Sequence, residues 1–352
     1  MKRLQGIVLT ALAVLVTVGF LPAPSASAAA SSASLSIVPK KNYVIEPGKS
    51  VKDKLTIRNL DTTQPLDLTL RVVDFTFTDD GGTPKLFLAE DAPQTTWSLK
   101  PFLTVPKNVS IPAGKSQTLD MSVAIPAKHG AGSYYSAIIY SSGAPEGGNV
   151  GLSASGVTLV FTTIPGQVNE DLKLEKFGAY APATAQSKAH YSYFNLNEPL
   201  QMAYTLKNNG NVTEAPVGSV TLKNMFGKEY TITDLNPNSS LALIGQSRTF
   251  TSCIKLKEQA VDFNGGKTEA KQCTSPGLWP GFYSAKIDLF YGQNGNLTKE
   301  VHGTASFWYL PAWFLIVVFI LLLVIAYFVW RVVRAVKGHQ RGYTKKPSFR
   351  RR

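Results

Sequence analysis

Residues 66–72 read Leu66-Asp67-Leu68-Thr69-Leu70-Arg71-Val72, with apolar and polar side chains in strict alternation. A period of two is typical of a β-strand that buries one face and exposes the other. The same pattern recurs in the segments that begin at Val51, Leu119 and Leu200. Clusters rich in Gly, Pro, Asn and Asp separate these segments, as turns do. The sequence therefore predicts an all-β protein of the sandwich type.

Two landmarks recur along the chain at nearly the same spacing. Ile57-Arg58-Asn59 and Leu206-Lys207-Asn208 each end an alternating segment, 149 residues apart. A shared Tyr-Ser-Ala core begins at Tyr135 and again at Tyr283. Chance similarity between strands is the alternative, but the common offset favours two tandem Ig-like β-sandwiches. We place them at residues 34–165 and 166–307, since Pro165 and Gly166 interrupt the pattern.

A different pattern follows the second sandwich. Residues 310–330 read LPAWFLIVVFILLLVIAYFVW without a charge, and as a helix they are about 31 Å long, enough to cross a bilayer core. A buried core helix is the alternative, but soluble helices rarely stay apolar on every face for so long. We predict a single transmembrane helix. Its expected anchors at the membrane surfaces are Trp308, Tyr309, Trp313, Tyr327, Trp330, Arg331 and Arg334.

Both ends of the chain carry targeting patterns. Lys2 and Arg3 precede a short apolar run and small residues around Ala26-Ser27-Ala28, which predicts a signal peptide at residues 1–28. An uncleaved signal anchor is the alternative. The tail at residues 331–352 has nine Lys or Arg and no acidic residue. Because basic flanks stay in the cytoplasm, we predict a single-pass protein of the cell membrane with an extracellular ectodomain and a cytoplasmic tail.

The formal net charge of +13 does not indicate a nucleic-acid-binding protein. Nine of the charges belong to the tail and two to Lys2 and Arg3, which leaves +2 for the residues between. A nearly neutral ectodomain lacks the basic surface that nucleic acids require. We therefore predict no nucleic-acid partner.

Cys253 and Cys273 are the only cysteines, and both lie in the predicted second sandwich. An even count outside the cytoplasm favours a disulfide between them. Closing about twenty residues is worth about 3 kcal/mol in the chain-entropy view. Two free thiols on adjacent strands are the alternative.

No motif in the sequence indicates catalysis or metal binding. The histidines fit no nucleophile motif and no metal-ligand spacing; they are His129, His190, His302 and His339. The acidic groups Asp79-Asp80 and Glu90-Asp91 lack the EF-hand pattern, and a solvated loop explains them more simply. We predict a non-enzymatic protein without a cofactor or a metal.

Aromatic residues cluster around a long predicted loop of the first sandwich, from Asp79 to Lys107. Such loops on rigid scaffolds often bind ligands, and aromatic rings stack on sugars. The candidate binding residues are Trp97, Phe87 and Phe102. Trp97 is the first candidate for a sugar contact, and closing the open end of the sandwich is its alternative role. A second aromatic group is Tyr180, Tyr191, Tyr193 and Phe194.

Four stretches of the first sandwich carry a family resemblance. They are Tyr43-Val44-Ile45-Glu46-Pro47-Gly48-Lys49-Ser50, Leu55-Thr56-Ile57-Arg58-Asn59, Ile111-Pro112-Ala113-Gly114-Lys115-Ser116 and Gly132-Ser133-Tyr134-Tyr135-Ser136-Ala137-Ile138-Ile139. On these residues the chain resembles the WxL-interacting cell-surface proteins of Gram-positive bacteria. The resemblance implies a peptidoglycan-binding β-domain, a second β-domain for host or partner binding, one span and a basic tail. The cysteine pair and the insert between its members depart from the family pattern.

Two functional hypotheses follow from these features. In the first, a non-enzymatic adhesion protein at the bacterial surface binds peptidoglycan with its first sandwich and a surface protein with its second. In the second, a membrane-tethered extracytoplasmic chaperone or structural stalk captures exported chains by strand addition at a sheet edge. Binding to purified cell wall, as opposed to capture of an unfolded secreted chain, distinguishes them.

Overall fold

The computed structural model describes residues 35–77, 82–89, 91–142, 154–263, 266–292 and 297–342. Within these ranges the chain forms β-strands in sandwich-like sheets, followed by one apolar helix. The prediction of an all-β protein with a C-terminal apolar helix is confirmed at this level. The predicted signal peptide, the Asp79-Asp80 pair, Glu90 and residues 343–352 of the tail lie outside the described residues.

Eleven strands form the sheets of the first sandwich. They are β1 Leu35–Ser36, β2 Lys40–Val44, β3 Ser50–Asn59, β4 Leu66–Val73, β5 Phe75–Phe77, β6 Pro84–Leu86, β7 Leu103–Thr104, β8 Asn108–Ile111, β9 Ser116–Ala124, β10 Gly132–Ser142 and β11 Ala154–Ile164. A four-stranded sheet has the order β1-β3-β9-β7, and a five-stranded sheet has the order β2-β11-β10-β4-β8. The alternating apolar residues of β3 and β4, such as Leu55 and Leu68, meet in the core between the two sheets.

The second sandwich contains another eleven strands. They are β12 Leu172–Ala181, β13 His190–Tyr191, β14 Phe194–Asn195, β15 Gln201–Asn208, β16 Val217–Asn224, β17 Glu229–Ile232, β18 Ser247–Cys253, β19 Leu256–Phe263, β20 Gly266–Cys273, β21 Gly281–Tyr291 and β22 Lys299–Tyr309. Its four-stranded sheet has the order β13-β12-β15-β18, and its five-stranded sheet has the order β14-β22-β21-β16-β17. Tyr204, Tyr283 and Phe307 are among the large side chains that fill the core between them.

The five-stranded sheets of the two sandwiches are built alike. In each sheet the first strand runs parallel to its neighbour, β2 beside β11 and β14 beside β22, and the remaining pairs are antiparallel. The asparagine that ends β3 and the asparagine that ends β15 also make the same kind of hydrogen bond. Asn59 and Asn208 are both buried, and each donates its side-chain amide to loop carbonyls, for example to Gln64 O at 2.8 Å and Val212 O at 2.6 Å.

An apolar cluster between the two sandwiches, the interdomain cluster, covers the outer face of the first five-stranded sheet. Its buried members are Val73, Phe75, Tyr135, Ala137, Ile139, Phe161 and Leu243, and Phe77, Trp97, Leu241 and Ile244 are among the partly buried residues packed against them. Hydrogen bonds flank the cluster, from Ser133 N to Asn211 O at 3.0 Å and from Thr213 N to Ser133 Oγ at 3.0 Å. The second sandwich therefore packs against one face and one end of the first.

The helix α1, Ala312–Gly342, begins three residues after β22 ends. Pro311 lies just before the helix, where a backbone N–H would have no partner within the helix, so its absence in proline costs nothing. The carbonyl of Pro311 accepts a hydrogen bond from Phe314 N at 2.9 Å. Residues Ala312–Ala335 are long and apolar enough to cross a membrane, and none of their most apolar part is buried. The helix begins two residues later than the predicted Leu310 and continues past Trp330, because the basic residues that follow favour helix. The orientation of the helix in a membrane stays a prediction.

Candidate functional site

The outer face of the second four-stranded sheet carries an open cavity of about 610 Å³, which we call the tyrosine groove. It is lined by Glu175, Lys176, Tyr180, Ala189, His190, Tyr191, Thr205, Ser247 and Thr249. This mixture of rings, hydroxyls and charged groups distinguishes the groove from an ordinary apolar sheet face. Sites that bind small molecules or chain segments commonly combine an apolar wall with a few convergent polar groups.

Strand register brings these residues together from four strands. Tyr180 of β12 pairs with Tyr191 of β13, and Thr205 of β15 pairs with Thr249 of β18. A register shift between Leu174 and Lys176 interrupts the pairing of β12 with β15. Such an irregularity changes the direction of the neighbouring side chains, which here include Glu175.

A chain of hydroxyl groups forms the floor of the groove. Tyr191 Oη lies 2.7 Å from Thr205 Oγ1, which lies 2.8 Å from Thr249 Oγ1. At one end Ser247 Oγ donates to Glu175 Oε2 at 2.7 Å. Burial raises the pKa of Tyr191 to about 12, further above neutral pH than that of an ordinary tyrosine, and the protonated phenol has a hydrogen to donate.

The aromatic wall consists of Tyr180 and Tyr191, whose ring centroids lie 5.2 Å apart at an interplanar angle of 70°. Tyr180 is buried and Tyr191 is half-buried. His190 is exposed beside them, with Nδ1 3.0 Å from the carbonyl of Lys188. The sequence indicated the two tyrosines, but not Thr205, Ser247 or Thr249, because only strand pairing places those hydroxyls beside the rings.

Trp97 lies between the two sandwiches. Its ring is half-buried in the interdomain cluster, 6.1 Å from the ring of Tyr135 and roughly parallel to it. Among the described residues its Nε1 has no hydrogen-bond partner. These contacts favour the packing role over the sugar contact, although the covering residues come from the second sandwich and not from the end of the first. Ligand binding by Trp97 stays a prediction.

Phe102 and Phe87 lie elsewhere, so the three predicted rings do not form one surface. Phe102 packs against the core of the first sandwich and meets His129 edge to face at 4.7 Å. His129 in turn meets Tyr134 at 4.5 Å, and all three rings are half-buried. Phe87 is half-buried, and its backbone N–H donates to Asp74 O at 2.9 Å.

The predicted loop from Asp79 to Lys107 is not one unstructured excursion. Its described parts contain β6, a 3-10 helix at Lys100–Phe102 and β7. Asp74 holds the segment in place, since its carboxylate accepts from Ser98 Oγ at 2.6 Å and from Thr95 N at 3.1 Å. The expectation of one long irregular loop is therefore wrong for these parts, because the chain here pairs with strands and packs on the sheet, and ligand binding by the segment stays a prediction.

Cys253 and Cys273 form a disulfide, with Cα atoms 5.1 Å apart, which confirms the predicted bridge. The bridge joins the end of β18 to the end of β20. The insert between them is the hairpin β19–β20. Across the ranges that the structure describes, no group of three or more His, Cys, Asp or Glu is arranged to hold a metal ion.

Comparison with known proteins gives no family assignment. No family model matches the chain, and no curated protein matches it. A solved chain from the chaperone–tip adhesin complex of CFA/I fimbriae has 11% identity and a TM-score of 0.36, with 80% of this chain and 100% of that chain covered. The E. coli chaperone DraB has 13% identity and a TM-score of 0.31, with 77% and 98% covered. Similarity this distant carries no argument about function.

Proposed function

We propose that the chain is a membrane-anchored, non-enzymatic binding protein of the bacterial surface that holds a cell-wall glycan. The tyrosine groove is the observation that carries this proposal. Peptidoglycan is the expected polymer, since the first sandwich resembles the peptidoglycan-binding domain of the WxL-interacting proteins. The groove lies on the second sandwich, so this proposal places the polymer there and not on the first sandwich, where the sequence predicted it.

The chemistry of the groove suits a sugar chain. Aromatic rings offer an apolar face to the C–H side of a pyranose, and hydroxyl groups exchange hydrogen bonds with its edge. Tyr191 supplies a ring, Thr205 and Thr249 supply hydroxyls, and Glu175 supplies an acceptor. The groove lies on the outside of a sheet, where a long polymer passes without threading through the protein. Lys176 and the carboxylate of Glu175 provide opposite charges for the amino and carboxyl groups of peptide side chains on the glycan.

The rest of the molecule fits a tethered extracytoplasmic position. The disulfide requires an oxidising compartment to form and persist. The apolar helix α1 follows the second sandwich with only two intervening residues, so the sandwich lies directly at the predicted membrane surface. The half-buried rings of Phe102, His129 and Tyr134 form the alternative polymer surface, since they lie on the first sandwich, which carries the family resemblance.

Co-sedimentation of the full-length protein, in detergent, with purified peptidoglycan tests the proposal. We expect Tyr191→Ala to weaken binding about tenfold, because one stacked aromatic ring is worth about 1 kcal/mol or slightly more. Tyr193→Ala is the matched control, since Tyr193 is an exposed tyrosine two residues away that does not line the groove. The unfolding temperature of each variant separates lost binding from lost folding.

Three outcomes of this experiment decide between the surfaces. Weakening by Tyr191→Ala alone supports the groove. Weakening by Phe102→Ala or Trp97→Ala, with Tyr191→Ala unchanged, moves the polymer site to the first sandwich and rejects the groove. If the wild-type protein stays in the supernatant, the glycan-binding function is rejected.

A second candidate function, the tethered chaperone, has one observation in its favour. Strand β18 is the longest edge strand of the four sandwich sheets, with seven residues and no partner strand on its outer side among the described residues. An exposed edge of this length accepts an added strand from another chain. Retention of a reduced, unfolded exported protein by the full-length chain, together with no binding to peptidoglycan, supports this function over the first.

A further inference from the structure

An apolar cavity of about 770 Å³ lies where the second sandwich meets the helix, and we call it the juxtamembrane cavity. It is lined by Asn224, Met225, Phe226, Lys228, Trp279, Pro280, Gly281, Trp308, Leu310, Trp313, Phe314 and Val317. Among these described residues Lys228 carries the only charge. Its ammonium lies 4.9 Å from the centre of the Tyr230 ring.

The fold places three strand ends around this cavity. Strand β16 ends at Asn224, β21 begins at Gly281, and β22 ends at Tyr309. Met225 N donates to Phe282 O at 2.9 Å, which holds the turn after β16 against the start of β21. The first turns of α1 form the remaining wall, through Trp313, Phe314 and Val317.

Large apolar side chains are exposed around this end of the sandwich. Phe226 is 74% exposed and Trp279 is 66% exposed. On the other side of the end of β22, Tyr193, Phe194 and Leu196 are also exposed. Phe194 pairs with Trp308, so this second group lies at the same end of the sheet. Contiguous apolar surface of this kind marks an interface with a protein or a membrane.

The equivalent end of the first sandwich shows what normally covers such a surface. There β10 begins at Gly132, and the second sandwich lies against it through the bond from Ser133 N to Asn211 O. Near that end Phe75, in the segment that follows β4, is completely buried in the interdomain cluster on the outer face of the sheet. Phe226, in the segment that follows β16, has the helix beside it and is otherwise open among the described residues.

We propose that the juxtamembrane cavity binds a phospholipid of the outer leaflet, with an acyl chain along the apolar wall and the phosphate at Lys228. This inference rests on the proposed membrane anchoring by α1. Val317 lies five residues inside the helix from Ala312, about 8 Å deeper along its axis. The cavity therefore extends from the sandwich into the depth where acyl chains begin. Its tryptophans, Trp279, Trp308 and Trp313, are the residue type that concentrates at this boundary.

The charge pattern favours a phospholipid over a neutral apolar partner. A lysine at the rim of an apolar site keeps its stem on the apolar wall and its ammonium in the polar region. In a bilayer the lipid phosphate lies at that level, and a nearby basic residue gains about 1 kcal/mol from an anionic membrane surface. A second copy of the chain is the competing occupant, and the test below identifies it.

Site-specific quenching in lipid nanodiscs tests the proposal with the full-length chain. The native cysteines are bonded to each other, so one added cysteine takes a bimane label selectively. We compare Phe226→Cys with Glu300→Cys, an exposed position nine residues before Tyr309 on β22 and about 30 Å along the strand. With doxyl-labelled phosphatidylglycerol in the nanodisc, we expect strong loss of fluorescence at position 226 and none at position 300. Quenching at position 226 by doxyl-labelled phosphatidylglycerol is expected to exceed quenching by doxyl-labelled phosphatidylcholine. Adding Lys228→Gln is expected to remove this difference.

A label at Leu322→Cys, near the middle of the apolar helix, separates this inference from the anchoring on which it rests. Quenching at 322 without quenching at 226 overturns the lipid site and leaves the anchor intact. Absence of quenching at 322 rejects the anchor itself. Disulfide crosslinking between two chains in an unlabelled sample of Phe226→Cys, together with no quenching by lipid in the labelled sample, assigns the cavity to a second copy and overturns the proposal.

Discussion

The two sandwiches share a topology and differ in what lies against the same end of each. In the first, the end at Gly132 is in contact with protein, since the backbone of Asn211 approaches that glycine. In the second, the end at Gly281 is in contact with its own turn at Met225 and with the start of the helix. The same strand geometry therefore serves one interface between sandwiches and one proposed interface with lipid.

The comparison explains why aromatic residues collect at these ends. A sandwich closes its core between its sheets, but the strand ends expose apolar side chains that need a further cover. In the first sandwich Asn211 contacts the strand end at Gly132, and Leu241, Leu243 and Ile244 cover the adjoining outer face of the five-stranded sheet. At its Gly281 end the second sandwich has only its own turn at Met225 and α1 beside it in the described residues, so the rings there remain exposed. Burial, and not composition, therefore distinguishes the aromatic rings near these two ends.

The largest expected effect contrasts a buried phenylalanine of the first sandwich with an exposed one of the second. Phe75→Ala removes a completely buried ring from the interdomain cluster and is expected to lower the free energy of unfolding by about 3–5 kcal/mol. Phe226→Ala removes an exposed ring and is expected to change it by less than about 0.5 kcal/mol in detergent. Chemical denaturation of the full-length variants measures both. Equal losses contradict the assignment of a covered ring in the first sandwich and an open ring in the second.

A smaller effect is expected from reduction of the disulfide, which is present only in the second sandwich. Reduction of Cys253–Cys273 is expected to destabilise the second sandwich by about 3 kcal/mol, since the bridge closes a separation of 20 residues. The first sandwich contains no cysteine. Hydrogen exchange read by mass spectrometry, with and without dithiothreitol, gives the protection of each sandwich separately. The double variant Cys253→Ser, Cys273→Ser is expected to match the reduced protein, and equal deprotection of both sandwiches argues against a local role for the bridge.

The sequence predicted the strands and the apolar helix, because each depends on residues close together in the chain. It predicted the disulfide because the chain has only two cysteines. The repeated Asn59 and Asn208 were visible as landmarks, and the structure adds the physical reason, a buried amide that satisfies loop carbonyls. Pairing across the sheet, in contrast, has no local signal. Thr205 and Thr249 look like ordinary strand residues until register places them under Tyr191.

The burial of Trp97 likewise could not be predicted from the residues next to it in the sequence. Its neighbours in sequence indicated a binding loop, whereas its cover comes from residues 241–244, far along the chain. One signal was present in β10, where the continuous apolar run Ala137-Ile138-Ile139-Tyr140 departs from alternation. A strand that is apolar on both faces is covered on both faces. That run indicates a second layer on the first five-stranded sheet, which is where the interdomain cluster lies.

The smallest effect concerns one carboxyl group in each sandwich, with opposite dependence on pH. Glu214, 1% exposed near the contact between the sandwiches, accepts one hydrogen bond from Gly292 N at 3.2 Å, while Oε1 has no partner among the described residues. Burial, helped by the nearby charge of Glu170, raises its pKa to about 7. Asp53 of the first sandwich has its pKa lowered to about 2, because Lys41 and Tyr43 hydrogen-bond to its carboxylate.

The folded state thus favours a protonated Glu214, and the associated stability is complete below the unfolded pKa of about 4.3 and is lost as pH rises through about 7. Allowing for solvent screening, we expect a loss of about 2 kcal/mol between pH 5 and pH 8. Glu214→Gln stays neutral and is expected to flatten this dependence in thermal unfolding of the full-length protein. Asp53→Asn is the matched control. Asp53 affects stability only at acidic pH, where the free energy of unfolding falls as pH decreases toward about 2. The decrease in stability above pH 5 is therefore expected to remain in this variant. A slope that persists in Glu214→Gln assigns the pH dependence to other groups.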